Sequence, residues 1–165
     1  MFYRRQRLDG VSIPPGPQFD TVAGLVHTRD MSNHHYMAGL LDGEGSIGIS
    51  YHYNRLYRSP SISVTSTTEE LVNWCKQNYG GFISKKKTYQ EHHKPCWVWS
   101  LTKWADIENL LTNVLPFMLE PEKIRRGRLL LEEYKAVTVR NGKYTEPQRQ
   151  AKLNFEQRFL APNTT

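Results

Sequence analysis

At 165 residues, 38% of them hydrophobic, the chain is long enough for one domain with a core and has no apolar run that could cross a bilayer. Its net charge of +6 favours a polyanionic partner such as nucleic acid, because neutralising phosphates releases counterions. Cys75 and Cys96 are too few for a disulfide framework, and the basic start lacks the apolar stretch of a secretory signal. We therefore expect an intracellular protein, in the cytoplasm of a prokaryote or in an organelle.

The first 31 residues differ from the rest of the chain. Residues 14–17 (Pro-Pro-Gly-Pro) interrupt regular structure, and the short apolar stretch from Val22 to Val26 fits one edge strand. We therefore predict an N-terminal extension over residues 1–31, which lies on a main domain formed by residues 32–165.

The main domain shows a series of helix and strand signals that largely repeats. Helices are indicated by apolar residues spaced three and four apart, and strands by apolar residues that alternate with polar ones. Thr67 and Glu70 form the pattern of a capping box, and Pro121 suits a first helical position. The predicted elements are, in chain order, a helix from Ser32 or Asn33 to Asp42, strands at Ser46–Tyr57 and Ser59–Thr65, a helix from Thr67 to Gly80, strands at Phe82–Tyr89 and Cys96–Thr102, and helices at Lys103–Leu115, Pro121–Val139 and Pro147–Phe159.

This order, an α-β-β-α-β-β-α core with two further C-terminal helices, predicts an α+β fold in which a four-stranded antiparallel sheet has helices packed on one face. The other face is left uncovered and carries small, polar and basic residues at every second position. Such residues suit contacts with DNA grooves, although an ordinary solvated sheet face has the same pattern. The candidate DNA-binding residues are Ser46, Gly48, Ser50, His52, Asn54, Arg55, Arg58, Ser59, Ser61, Ser63, Ser84, Lys85, Lys86 and Lys87.

The segment Met37–Ser46, MAGLLDGEGS, carries the most specific signal. Gly39 and Gly43 are four residues apart, so a helix brings both to one face without side chains, which a second helix can approach closely. Asp42 and Glu44 straddle the end of this helix, where the macrodipole disfavours carboxylates, and this suggests a compensating cation. If the helix packs against its own copy, two Glu44 carboxylates meet near a two-fold axis and suit hard divalent cations. A glycine-rich helix end with surface acids is the alternative.

This segment resembles the LAGLIDADG signature of homing endonucleases at every position, identically or by conservative replacement. The order of elements extends the resemblance over residues 33–140. The resemblance implies a saddle-shaped sheet and a site-specific endonuclease that makes a staggered double-strand break in a long, near-palindromic DNA target. The single copy of the motif implies a homodimer formed through the motif helix, with Tyr36, Gly39, Leu40 and Gly43 in the interface.

The resemblance also implies the active-site residues. Glu44 and the backbone carbonyl of Gly43 would hold Mg²⁺, which would activate a water and stabilise the leaving oxygen, whereas Ca²⁺ would bind without supporting cleavage. Ser66 falls where relatives often carry Gln or Asn, and its alternative role is helix capping. Lys123 aligns with a lysine that would stabilise the pentacovalent phosphate, and its alternative is a solvated lysine at a helix start. Glu70 departs from the family, which usually has a basic residue there.

Two other functions stay open on the same scaffold. The first is a splicing maturase that binds intron RNA, which a large basic surface away from the sheet would favour. The second is a DNA-binding regulator without cleavage, against which the acid at Glu44 argues. A zinc site is not expected, because His34-His35 and His92-His93 lack the necessary ligand spacing. The periodicity of the four tryptophans predicts core positions rather than stacking on bases.

Overall fold

The computed structural model describes residues 22–51, 56–86, 95–140 and 142–162, and for residues 22–30 the description covers the backbone alone. In these ranges, no helix is long and apolar enough to span a membrane. The elements are, in chain order, α1 (Val22–Glu44), β1 (Gly45–Ser50), β2 (Ser59–Ser66), α2 (Glu69–Tyr79), β3 (Phe82–Lys85), β4 (Trp97–Leu101), α3 (Trp104–Val114), a 3-10 turn (Leu115–Phe117), α4 (Pro121–Leu129), a π-helical segment (Leu130–Tyr134) and α5 (Glu146–Leu160).

The four strands form one antiparallel sheet in the order β1-β2-β4-β3. Strands β1 and β2 alternate, so that Ile47, Ile49 and Ile62 are buried, whereas Gly48 and the serines beside these residues point the other way. The buried face packs against the helices, because an alternating strand can bury only one of its two sides. The predicted α+β fold, with a four-stranded antiparallel sheet and helices on one face, is confirmed.

The core lies between the inner face of the sheet and helices α1, α2 and α3. Each helix contributes apolar residues at helical spacing, and Trp99 of β4 is fully buried with its indole Nε1 donating to the Gly80 carbonyl at 2.7 Å. Trp74, Trp97 and Trp104 are partly buried against this core. The prediction that the tryptophans belong to the core is therefore confirmed.

The first helix is much longer than predicted. It begins at Val22 instead of Ser32 or Asn33 and ends at Glu44, so the predicted edge strand from Val22 to Val26 is wrong. The physical reason is that no proline interrupts residues 22–44, and a short apolar run suits a helix as well as a strand. Helix α1 crosses the predicted boundary at residue 31. The division into extension and main domain stays a prediction, since residues 1–21 lie outside the described ranges.

Several element ends also differ from the prediction. Helix α2 has Thr68 and not Thr67 as its N-cap residue, without a side-chain cap, whereas a capping box occurs at Thr145 in front of α5. Strand β1 ends at Ser50, because its pairing with β2 ends where Ser50 meets Ser59. Helix α4 ends at Leu129 and continues as the π-helical segment instead of reaching Val139. The predicted strand end at Tyr57 is wrong, since this residue lies in a bend, and the predicted strand residues 52–55 and 87–89 fall where nothing is described.

Gly45 joins α1 directly to β1, and a side chain there would collide with the helix. A Cβ atom at Gly45 would lie 2.6 Å from Leu41 Cα, whereas one at Gly48 would meet nothing within 4 Å. Gly45→Ala should therefore lower the free energy of unfolding by about 1–3 kcal/mol. Gly48→Ala is the matched control and should leave stability unchanged or slightly raised. Urea unfolding of both variants is the measurement, and equal stabilities would show that the junction is not tightly packed.

Candidate active site and nucleic-acid surface

The two sides of α1 differ sharply in their surroundings. One side enters the core with Met37, Ala38 and Leu41, which are at most 1% exposed. The opposite side exposes Gly39 and Gly43, and a Cβ atom at either glycine would meet nothing within 4 Å. The side chains predicted for a dimer interface adjoin this stripe: Tyr36 is 52% exposed and Leu40 is half-buried. The helix thus presents a surface with few side chains on the side opposite the core.

Asp42, near the C-terminal end of α1, ties the helix to the start of α4. Its Oδ2 accepts from the Leu119 backbone N–H at 2.8 Å, and its Oδ1 from that of Glu120 at 3.2 Å. The Glu120 carboxylate in turn accepts from the backbone of Glu122 and Lys123, as the N-cap of α4. Asp42 therefore has a structural role, because both carboxylate oxygens are occupied by backbone donors.

Lys123 places a positive charge at the C-terminal end of α1. Its Nζ donates to the backbone carbonyls of Leu41 at 2.8 Å and Asp42 at 2.7 Å. Carbonyls in the last turn of a helix have no partner within the helix, and a cation there is favoured by the dipole. Lys123 is thus held against α1 and is not a solvated lysine.

Glu44 is exposed as the last residue of α1, and over the described ranges no hydrogen-bond donor contacts its carboxylate. Ser66 ends β2 at the same end of the sheet, since Gly45 pairs with Val64. The Ser66 Oγ accepts from the Thr68 N–H at 3.0 Å, in the turn before α2, and this bond is not a side-chain cap of the helix. This corner thus brings together the ends of α1 and β2, and Lys123 binds the last turn of α1.

Histidines and other ligand types do not gather elsewhere in the described part of the chain, where no group of three or more His, Cys, Asp or Glu residues could hold a metal ion. The ring Nδ1 of His34 contacts the Tyr79 hydroxyl at 3.0 Å, and that of His35 the Met31 carbonyl at 2.6 Å. His92 and His93 lie outside the described residues. The one carboxylate of the motif that is free to bind a ligand is Glu44.

The outer face of the sheet carries most of the small and polar residues that were predicted to bind DNA. Register pairs Ser46 with Ser63, Gly48 with Ser61 and Ser50 with Ser59, so β1 and β2 present these residues side by side. Strands β3 and β4 add Ser84, which was predicted, and Phe82, Val98 and Ser100, which were not. Their alternation with the buried Trp99 is the signal that could have identified Val98 and Ser100. Of the predicted set, His52, Asn54, Arg55 and Lys87 fall where nothing is described.

Lys85 and Arg58 sit differently from the rest of the predicted surface. Lys85 is two residues from Ile83 and therefore points to the inner side of the sheet, not to the predicted DNA-binding face. It pairs with Trp97, and its Nζ lies 5.7 Å from the Trp97 ring centroid. Lys86 follows β3 at a position that faces the outer side of the sheet. Its backbone N–H donates to the Cys96 carbonyl and so continues the pairing of β3 with β4. Arg58 is held by the buried carboxylate of Glu156, with Nη1 3.2 Å from Oε2.

The comparisons with known proteins reveal structural similarity alone. No family model matches the chain, and no curated protein matches its sequence. The structure resembles the homing endonuclease I-TnaI with a TM-score of 0.57 and 14% identity, over 79% of this chain and 89% of that one. It resembles I-SmaMI bound to uncleaved DNA with calcium ions, with a TM-score of 0.55 and 19% identity, over 78% of this chain and 45% of that one.

A third similar structure is the LAGLIDADG homing endonuclease I-GzeII in complex with its DNA target. Its TM-score is 0.55 at 14% identity, over 75% of this chain and 43% of that one. This chain therefore spans less than half the length of I-SmaMI and of I-GzeII. At such low identity the similarity concerns architecture: the chain has the fold of the LAGLIDADG homing endonucleases.

Proposed function

We propose that this protein is a site-specific homing endonuclease, which makes a metal-dependent staggered double-strand break in a long, near-palindromic DNA target. The observation that carries the proposal is the motif helix. One side of α1 is buried in the core, the other is bare at Gly39 and Gly43, and the helix ends at the unpaired carboxylate of Glu44 beside a polar sheet face. The similar structure of I-GzeII was solved in complex with its DNA target, which supports DNA as the partner of this chain.

The active form is a homodimer joined through α1. A helix with glycines at Gly39 and Gly43 lets a second helix approach with little side-chain obstruction. The comparison supports this, because the chain matches 89% of I-TnaI but only 45% of I-SmaMI, so it holds one copy of the shared unit. Two-fold symmetry would bring the two Glu44 carboxylates together near the axis.

The donor atoms at this corner fit a hard divalent cation. Glu44 and the Gly43 carbonyl are oxygen ligands, which Mg²⁺ and Ca²⁺ prefer, and DNA phosphates and the second subunit would complete the coordination. A bound Mg²⁺ would supply Lewis-acid chemistry, lowering the pKa of an attacking water and stabilising charge on the leaving oxygen. Asp42 does not share this role, because backbone N–H groups occupy its carboxylate.

Lys123 and Ser66 have supporting roles at the end of α1 that carries Glu44. Lys123 fixes the last turn of α1 through two carbonyls, and its positive charge would also stabilise the pentacovalent phosphate. The hydroxyl hydrogen of Ser66 is not used when its Oγ accepts from Thr68, so it can orient a water. We assign Lys123 the larger effect, because it carries charge.

The RNA-binding alternative expects a large free basic surface away from the sheet. Several basic residues of α4 and α5 are instead paired with carboxylates: Arg125 and Arg126 with Glu122, and Arg158 with Glu133. These ion pairs reduce the positive charge offered to a second polyanion. We therefore favour the sheet, and DNA, as the main nucleic-acid contact.

The proposal is tested on the duplex made by joining the sequences on either side of the intervening sequence that encodes the protein. The purified protein should cut this duplex at one site with Mg²⁺ and bind it without cutting in Ca²⁺. A duplex of the same composition and scrambled order is the control. Equal affinity for both duplexes, or no cleavage product with any divalent ion, would overturn the proposal.

Lys86 tests the outer face of the sheet, because it is exposed and faces the outer side. Lys86→Ala should weaken DNA binding and reduce the slope of log affinity against log salt by about one unit. Lys76→Ala, which removes an exposed lysine from α2, is the matched control and should change neither quantity. Binding is measured in Ca²⁺ at several salt concentrations. If the charge reversal Lys86→Glu leaves affinity and slope unchanged, DNA does not lie on this face.

A further inference from the structure

A second site lies at the far end of the β1–β2 pair, away from Glu44. A cavity of about 570 Å³ opens between the residues that lead into β2 and the stretch between the π-helical segment and α5. We call it the basic cavity, because its lining includes Arg58, Lys143, Arg149 and Lys152. Tyr57 and Tyr144 form another part of the wall, with ring centroids 4.4 Å apart.

The positive charge of the basic cavity exceeds its negative charge. Arg58 is balanced by Glu156, and Arg149 by the exposed Glu146, whose Oε2 lies 3.9 Å from Nη1. In the described ranges no carboxylate lies within 4.0 Å of the ammonium groups of Lys143 and Lys152. The cavity thus has a surplus of about two positive charges by the ordinary protonation states of these groups.

Lys152 is the most unusual member, because it is a lysine that is only 1% exposed. Among the described residues its Nζ has one hydrogen-bond partner, the Thr138 hydroxyl at 3.1 Å, and it lies 4.1 Å from the centroid of the Tyr134 ring. An ammonium group has three donors, and a buried charge without enough partners is costly. Burial lowers the pKa of Lys152 to about 8, although the Glu156 carboxylate, which also pairs with Arg58, raises it in part. An anion in the cavity would offset the remaining cost.

The position of the cavity indicates which anion it receives. Ser59 lines the cavity and is also one of the predicted DNA-binding residues of the outer face, where it pairs with Ser50. The cavity thus reaches the outer face at Ser59, at the end of the β1–β2 pair farthest from Glu44. A duplex that continues beyond the sheet would carry its sugar-phosphate backbone past this opening.

We propose that the basic cavity binds a phosphate group of the DNA backbone, just beyond the part of the duplex that the sheet covers. The source of the phosphate rests on the endonuclease function proposed above. Lys143 and Arg149 are exposed and would make the first contacts, while Lys152 is fixed behind them. The contact is independent of sequence, because only the backbone is touched, and it would fix the register of the protein on its target.

The test compares two duplexes with the same centre, one with long flanks and one trimmed to the part covered by the two sheets. The double variant Lys143→Gln/Arg149→Gln should bind the long duplex about fivefold more weakly than the wild type, with a salt slope smaller by about one unit. On the trimmed duplex it should equal the wild type. Lys152→Met, which removes the buried charge at similar volume, should have the same effect. The matched control is Lys76→Gln/Arg128→Gln, which removes two exposed positive charges elsewhere and should not show this effect.

Two results would overturn the proposal. One is that the double variant loses the same affinity on both duplexes, or loses none on either. The other is stabilisation of the wild type, and not of the double variant, by inorganic phosphate without any effect of duplex length, which would indicate a site for a free anion. Binding is measured in Ca²⁺ without cleavage, so an inactive protein that still shows the length effect would contradict the endonuclease function and leave this site standing.

Discussion

Glu44→Gln should abolish double-strand cleavage while leaving the fold and DNA binding close to those of the wild type. The amide keeps the shape of the side chain and one acceptor oxygen, but it removes the charge that would hold a divalent cation. A metal that acts as a Lewis acid is worth several kcal/mol in the transition state, so we expect the rate to fall about a thousandfold or more. Because Glu44 is exposed and makes no hydrogen bond to other described residues, its loss should not destabilise the chain.

The measurement is digestion of a plasmid that carries the joined flanking sequence, with Mg²⁺, with Ca²⁺ and with chelator. Glu132→Gln, an exposed acid of the π-helical segment, is the matched control and should cut like the wild type. Asp42→Asn should behave differently again: it should lower the unfolding midpoint, because the carboxylate holds the start of α4. Complete cleavage by the Glu44→Gln variant, or by the wild type in chelator, would refute metal-dependent chemistry at this residue.

A mixed dimer with one wild-type and one Glu44→Gln subunit separates a shared site from two independent ones. If both carboxylates hold a common ion, the mixed dimer should lose far more than half of its double-strand cleavage. If the two sites act independently, it should nick one strand and accumulate open-circular plasmid. Either result still requires Glu44, and the ratio of nicked to linear plasmid distinguishes the two arrangements.

Local sequence patterns were sufficient to predict the order of the elements and the inner face of the sheet. Ile47 and Ile49, like Ile62 and Val64, are two residues apart, so one orientation of the strands buries all four side chains. A shift of one residue would expose all four. The same reasoning was insufficient at the N-terminal end of α1. There a short apolar run without breakers suits both helix and strand, and only packing over the full length of the helix decides.

The partners of individual charged side chains could not be predicted, because they depend on contacts between distant segments. Lys123 reaches a carbonyl 81 residues earlier in the chain, and Arg58 binds a carboxylate 98 residues later. Neither contact leaves a periodic trace in the sequence. As a result, Lys123 could be identified only by resemblance, and Arg58 was predicted to bind DNA although an ion pair with Glu156 holds it.

Gly39→Leu should convert the protein into an inactive monomer that is at least as stable as a wild-type subunit. Within one chain the new side chain meets nothing, since a Cβ atom at Gly39 has no neighbour within 4 Å, and leucine favours a helix by about 1 kcal/mol over glycine.

Across a two-fold interface the same change places two leucines between closely packed helices. Overpacking costs about 1–3 kcal/mol for each side chain, and symmetry doubles it, so the dimer dissociation constant should rise about a hundredfold or more. Sedimentation and the plasmid assay measure both consequences, and Gly39→Ala, with its small side chain, should retain more of each. Asn73→Leu adds the same side chain to an exposed position of α2 and should change neither assembly nor cleavage. Because each Glu44 lies at the end of its own α1, separated subunits cannot share a metal ion. A wild-type monomer that cuts both strands would therefore overturn the assembly and the shared site together.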